Sequence, residues 1–319
     1  MDKKLCKRWN DAAKRYSENV AIGNSDPAIK SGWEEVYGDA LEGCAGRLLD
    51  CGCGPGTVTM YVAGPRFRIT ALDQSEEMLR IAKRNTESEG IDAEFVQGDA
   101  ENLPFEDGSF DVVVCQHMLW TVPDPQKVIH EWFRILRPGG RLVYTDADWF
   151  NYPKKTRARI AVSHLMTSFD KRETRAQRSK REKMEEFVHL WSARAHRPAE
   201  DLRMLSAAGF SGAKVRNGIE RLVTHGVSYW RYGILYNYFL VSAEKPERRL
   251  SDRRDDVNVL VSMPAGLLEM LDTVLELGVF RSNQEFYKVS LFYLMDVYRE
   301  MEIQIDTISG FTGTPRVRP

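Results

Sequence analysis

The chain has 319 residues, 43% of them hydrophobic, and a formal net charge of −1 at pH 7. That size and apolar content exclude a disordered or fibrous chain and suit a large α/β domain with a small appendage. No apolar run approaches the roughly 18–20 residues that cross a bilayer, the N-terminus MDKKLCKRWN lacks a signal-peptide core, and five cysteines fit a reducing cytoplasm without structural disulfides. A cytoplasmic protein away from membranes is expected, without internal repeats.

In chain order, KRWNDAAKRYSE comes first and sets Trp9, Ala13 and Tyr16 on one helical face. The run LLDCGCGPG at 48–56 then closes a strand and opens a helix. Its glycines Gly52, Gly54 and Gly56 remove side chains where the backbone turns tightly, so a ligand can lie against bare amides at a helix N-terminus. Asp50 adds a carboxylate at the carboxyl end of the strand, where open α/β sheets place ligands. A glycine turn alone also fits an ordinary connection, so the residues downstream carry the weight.

The next strand, RITALDQS, leads into Asp73, seventeen residues beyond Gly56. That spacing suits a carboxylate gripping the two ribose hydroxyls of an adenosine; the competing reading is a helix-capping acid. SEEMLRIAKRN starts with an N-cap, Ser75, and repeats Met78, Leu79 and Ala82 at helical spacing, completing a βαβ unit. A third strand, DAEFVQGD, ends at Asp99, an acceptor for an adenine amine, with Ala100 and Leu103 as apolar cover for the ring. The fourth, DVVVCQH, reads as a strand buried on both faces. A helix around 125–136 follows, and LRPGG turns the chain into a fifth strand, RLVYTDAD.

Residues 1–247 resemble a class I S-adenosylmethionine-dependent methyltransferase of the small-molecule group that includes the ubiquinone and menaquinone methyltransferases. LLDCGCGPG, ALDQSEEML, GDAENLPFEDGSFDVV and LRPGG carry the resemblance, in the family's order. It implies a doubly wound, seven-stranded Rossmann-like sheet whose last strand, LYNYFLVSAEK at 235–245, runs antiparallel. The Gly-x-Gly-x-Gly spacing with LPFEDGSFD separates it from a nicotinamide-binding enzyme. By position, the resemblance puts Asp50, Gly52 and Gly54 around the methionine part of the cofactor, Cys53 and Gly56 in the same cofactor-binding turn, and Asp73 on the ribose. Gln74, Met78, Asp99 and Ala100 surround the adenine, Gln116 lies near the methionine end, and Tyr16 reaches in from a helix that closes over the site. Simple packing of an amphipathic helix is the other reading of Tyr16.

Methyl transfer from a sulfonium needs alignment and exclusion of water, plus a base where the nucleophile is protonated. His117 is the candidate base or substrate contact, because imidazole titrates near neutrality; a polar residue at a strand end is the alternative, and Trp120 is taken to shape the pocket. Strand four carries Cys115, Gln116, His117 and Met118 where methyltransferases of nucleic-acid amines place Asn/Asp-Pro-Pro-aromatic, which disfavours a base amine as acceptor. Cys51 and Cys53 lack a matched second pair, so no metal site is expected.

Residues 151–199, where this family builds its substrate lid, hold thirteen Lys or Arg against five Asp or Glu. The excess points to an anionic partner, although KRETRAQRSKREKMEEF also reads as a solvated helix with pairs such as Arg181 and Glu185. His164, Phe169, His189 and Trp191 are interspersed and available to a substrate.

After a linker at 248–254 the chain changes character. VNVLVSMP reads as one strand, AGLLEMLDTVLELG as a helix capped by Gly278, and a Ser282–Glu285 capping box opens a second helix. Too small to close a core alone, residues 255–303 resemble a ribbon-helix-helix domain, which implies a homodimer through paired strands. Asn258 and Ser262 would then face outward, with Arg253 and Arg254 beside them as DNA contacts; Leu260, Asp255 and Asp256 depart from a good DNA reader. Residues 304–319 read as a flexible tail. Two functions remain: a dimeric methyltransferase for a small or medium-sized, anionic acceptor, or a DNA-binding regulator that senses S-adenosylmethionine, with protein side-chain methylation as a third.

Overall fold

The computed structural model describes residues 3–150, 162, 187–224 and 237–247. The linker, the ribbon-helix-helix segment with Arg253, Arg254, Asn258 and Ser262, the tail, His164, Phe169 and most of the lid lie outside those residues.

Helices α1 (Lys3–Asn24) and α2 (Pro27–Ala40) precede the first strand, β1 (Gly46–Cys51). The chain continues through α3 (Thr57–Val62), β2 (Phe67–Asp73), α4 (Glu76–Ser88), β3 (Glu94–Gln97), β4 (Phe110–Gln116), α5 (Pro125–Ile135) and β5 (Leu136–Ala147). It then forms α6 (Ala199–Ala208), β6 (Ser211–Asn217), a short α7 (Glu220–Val223) and β7 (Tyr238–Glu244). Local chemistry sets the helix starts. Asp26 and Asp124 each accept a backbone N–H ahead of a proline at the first turn, and Ser75 caps α4 by accepting from the Met78 amide at 3.1 Å.

The sheet runs β3-β2-β1-β4-β5-β7-β6, parallel throughout except for β7, which is antiparallel to both neighbours. The antiparallel strand is the one expected at 235–245. LRPGG bulges out of β5 rather than preceding it: Leu136 pairs with Phe110 and Arg141 with Val112, so residues 137–140 loop out opposite Asp111.

Side chains of the central strands alternate between two cores. Leu49, Val113 and Tyr144 pack with Trp132 of α5 and Leu205 of α6 on one face; Leu48, Val112 and Val143 pack with Val36 of α2 and Val58 of α3 on the other. The order reverses between β1 and β4, which opens a crevice at their carboxyl ends, the place where doubly wound sheets bind ligands.

Candidate functional site

The turn after β1 folds over the tip of β2. Amides of Gly52 and Cys53 both donate to the Leu72 carbonyl, at 2.8 and 2.9 Å. Gly52, Gly54 and Gly56 all have positive φ, of 73°, 54° and 85°, a conformation that side chains disfavour. At Gly52 a Cβ would also stand 2.6 Å from Met118 Cγ. Asp73 braces the turn: Oδ2 accepts from the Gly54 amide and Oδ1 from the Ser75 amide, each at 2.9 Å. Burial pushes its carboxyl up to about 6 against the pull of these N–H donors. Asp73 thus braces the turn and the amide of Ser75 rather than capping α4, which Ser75 does, and it lines the cleft as the ligand reading requires.

A cleft, partly open to solvent, lies above these strand ends. Gly52, Gly54, Asp73, Gln74 and Met78 line it together with Asp99, Ala100, Gln116 and His117. From α1, Trp9 and Tyr16 border the same space. The helix is fastened to the start of α4: Asn10 Oδ1 accepts from Ser75 Oγ at 2.7 Å and from the Glu77 amide at 3.2 Å, and the Cys6 thiol donates to the Gln74 carbonyl at 3.2 Å. Burial, then the nearby Asp73 and Asp146 carboxylates, raise the Tyr16 phenol to about 12, so it stays a donor at neutral pH.

Four expected residues are elsewhere. Asp50 is fully buried below the turn, its Oδ2 accepting from the Thr59 amide at 2.9 Å and hydroxyl at 2.7 Å. Burial drives its carboxyl to about 7, opposed by the Thr59 bonds, and Oδ1 has no hydrogen-bond partner. Cys53 packs against Ala71, Leu79 and Ala82 beneath α4, because the turn directs its side chain down. Gly56 serves as the N-cap of α3 against Ala82, and Leu103 belongs to the core under α5. Cys51 joins the opposite core from Cys53, which separates the two thiols. Among the described residues no group of three or more His, Cys, Asp or Glu is arranged to hold a metal ion, and no helix is long and apolar enough to cross a membrane.

His117 directly follows β4 with φ at 53°, the one positive φ among non-glycine described residues. Its ring stands edge-on to Trp149 at 5.2 Å and to Trp33 at 6.0 Å, and tilted against Tyr238 at 5.4 Å. Behind it lies Asp146, at the end of β5, 3.8 Å from Nδ1 to Oδ1. Arg197 Nη1 donates to Asp146 Oδ2 at 2.6 Å, and its Nε donates to both oxygens of Asp201, at 2.9 and 3.0 Å. All three charged groups are buried. This row was missed by the sequence reading, which counted Arg197 only as one of the lid's cations for an anionic partner. Its charge is instead consumed inside the domain. The signal that was available is an acid at a strand tip, the same signal that singled out Asp50 and Asp73. Trp120 clusters with Trp149, Phe150 and Phe187 beside the cleft rather than lining it, and Trp191 donates from Nε1 to the Leu119 carbonyl at 3.2 Å. His189 is exposed.

The cradle fits S-adenosylmethionine: a glycine turn of positive φ with no room for a side chain at Gly52, an acid braced at the next strand, and Met78, Asp99 and Ala100 lining the same cleft. The family described as Methyltransferase domain matches residues 49–144, a span that takes in the turn, Asp73, Asp99 and the length of β4. Within the curated relatives, the chain is 38% identical over 159 residues to an uncharacterized 37.1 kDa protein in transposon TN4556 of Streptomyces fradiae, covering 47% of this chain and 44% of that protein. It is 46% identical over 100 residues to the demethylmenaquinone methyltransferase of Lactococcus lactis, 30% of this chain and 40% of that one. With the ubiquinone biosynthesis O-methyltransferase of Azotobacter vinelandii it shares 32% identity over 142 residues, 44% of this chain and 58% of that enzyme. The chain thus spans about half the length of the curated relatives it matches.

Proposed function

We propose that this chain binds S-adenosylmethionine in the cleft and transfers its methyl group to a small or medium-sized acceptor. One observation carries the reading: the glycine turn, Asp73, Asp99 and Met78 line a single cleft at the sheet's reversal point, within the span that matches a methyltransferase domain. The cofactor supplies a methyl group on a sulfonium, already activated for displacement. The protein's part is placement. The glycine turn, whose own amides are bonded within the fold, lets the methionine portion lie close against its backbone, Asp73 accepts from the ribose hydroxyls, and α1 covers the site with Tyr16. Little covalent help is required, so alignment and exclusion of water account for most of the rate.

The remaining positive charge of residues 151–199, without Arg197, favours an anionic acceptor, and the ribbon-helix-helix resemblance of 255–303 supports a homodimer. Calorimetry with S-adenosylhomocysteine and transfer of a tritiated methyl group to a panel of anionic and neutral acceptors test the enzyme. Binding together with turnover sustains it; absence of S-adenosylhomocysteine binding ends it. Salt-dependent binding of DNA without turnover, lost on Arg253→Ala plus Arg254→Ala, selects the regulator instead. Sedimentation of the full chain reads the dimer.

A further inference from the structure

We propose that Asp146, backed by Arg197 and Asp201, is a positioning residue that holds the His117 proton on Nδ1 and leaves Nε2 bare toward the cleft as the base for a protonated acceptor atom. The inference rests on the methyltransferase reading and adds to it the acceptor class: a group that carries a hydrogen on the atom to be methylated, such as a hydroxyl.

Three observations converge. His117 Nδ1 is buried and has no hydrogen-bond partner, while the residue itself lines the cleft. A buried imidazole nitrogen is costly to leave unpaired, and the Asp146 carboxylate lies 3.8 Å away. That gap is too long for a hydrogen bond, but base–orienter contacts tighten when a site fills. Second, Asp146 is locked from every other side: Oδ1 accepts from the Ala147 amide at 2.9 Å and from Trp149 Nε1 at 2.7 Å, and Oδ2 from Arg197. Burial opposes ionisation there, but Arg197 overcomes it and holds the Asp146 carboxyl below its ordinary range. Third, the backbone at His117 is left-handed, its amide donating to the Thr145 carbonyl at 3.0 Å, and the ring is held among Trp33, Trp149 and Tyr238 beside Asp146.

In the transfer step the acceptor atom X forms its bond to the methyl carbon as the sulfur–methyl bond breaks, its electron pair staying on sulfur. The X–H proton passes to His117 Nε2, and the imidazolium, faced by Asp146, later returns it to solvent.

Nitrogen-15 NMR of the full chain labelled at its six histidines, with His117 assigned by His117→Gln, reads the proton directly. The expected pattern is a protonated-type shift at Nδ1 and an unprotonated-type shift at Nε2, inverted in Asp146→Asn. A proton on Nε2 in the wild type, or an unchanged pattern in Asp146→Asn, overturns the proposal; if Asp146→Asn does not fold, the wild-type spectrum decides alone. On any acceptor that the wild type methylates, His117→Gln is expected to lower kcat by about 10²–10⁴-fold, and a kcat near the wild-type value removes the base. Calorimetry with S-adenosylhomocysteine on the same sample separates the readings: binding with the wrong tautomer sinks only the base, and the right tautomer without binding sinks the methyltransferase.

Discussion

Asp73 Oδ2 accepts the Gly54 amide at 2.9 Å, so the acid at the tip of β2 and the glycine turn after β1 form one bonded unit. Losing that carboxylate would remove the proposed ribose acceptor and loosen the turn together. Asp73→Ala is expected to weaken S-adenosylhomocysteine binding at least tenfold, or about 1.4 kcal/mol, by calorimetry. Unchanged affinity would remove Asp73 from the ribose.

Because burial raises the Asp73 carboxyl to about 6, the same contact should titrate. In the proposed complex ribose hydroxyls would donate to the ionised form, which dominates at pH 7.5 and is scarce at pH 5. Affinity for S-adenosylhomocysteine is therefore predicted to fall by about tenfold between those pH values. Asp73→Asn, which cannot ionise, should lose most of that slope; an equally steep slope would assign it to another group.

Asp50 supplies a stability test away from the cleft. Burial lifts its carboxyl from 3.8 to about 7, so the folded state holds a proton that the unfolded chain has released. Stability from this group is present at low pH and is lost as pH rises from about 4 to 7, on the order of 4 kcal/mol at most. Asp50→Asn should then melt higher relative to the wild type at pH 7.5 than at pH 4.5. A difference independent of pH would show that Asp50 does not carry the penalty.

At Gly52 the backbone itself is the constraint. With φ at 73° and Met118 Cγ 2.6 Å from where a Cβ would stand, Gly52→Ala combines a left-handed penalty of about 1–2 kcal/mol with displacement of Met118 into the cleft. Lower thermal stability and weaker S-adenosylhomocysteine binding are both expected; a variant that keeps wild-type affinity would show that the cofactor does not approach this turn.

Most of this architecture was legible in the chain because its signals are local. Glycines at 52, 54 and 56, acids at the ends of short apolar runs, and Ser75 three residues before Met78 each act within a few positions. The seven-stranded sheet with its antiparallel last strand followed from the family resemblance that those motifs carry. What escaped was set by long-range pairing. Whether Asp50 faces the cleft or Thr59 depends on how the turn tilts over β2, and nothing in LLDCGCGPG records that tilt. Arg197 meets Asp146 across fifty-one residues, so charge counting over 151–199 placed on the surface a cation that the fold buries.

That buried cation gives the sharpest energetic expectation. Arg197 lies between Asp146 and Asp201 with no solvent to replace it, and removing one member of such a row leaves uncompensated charge at a cost of about 3–5 kcal/mol. Arg197→Met should melt well below the wild type at pH 8. Without the guanidinium, Asp146 would be raised in the folded state and Asp201, which burial already lifts to about 6, would rise further, so their protonated forms stabilise the fold below their unfolded pKa, and that contribution is lost as pH rises. The deficit should accordingly shrink toward pH 5. Adding Asp146→Asn and Asp201→Asn to Arg197→Met removes the stranded charges and should recover part of the lost stability at pH 8. A single variant as stable as the wild type, or a deficit that ignores pH, would mean that the row is not the closed ionic unit its distances describe.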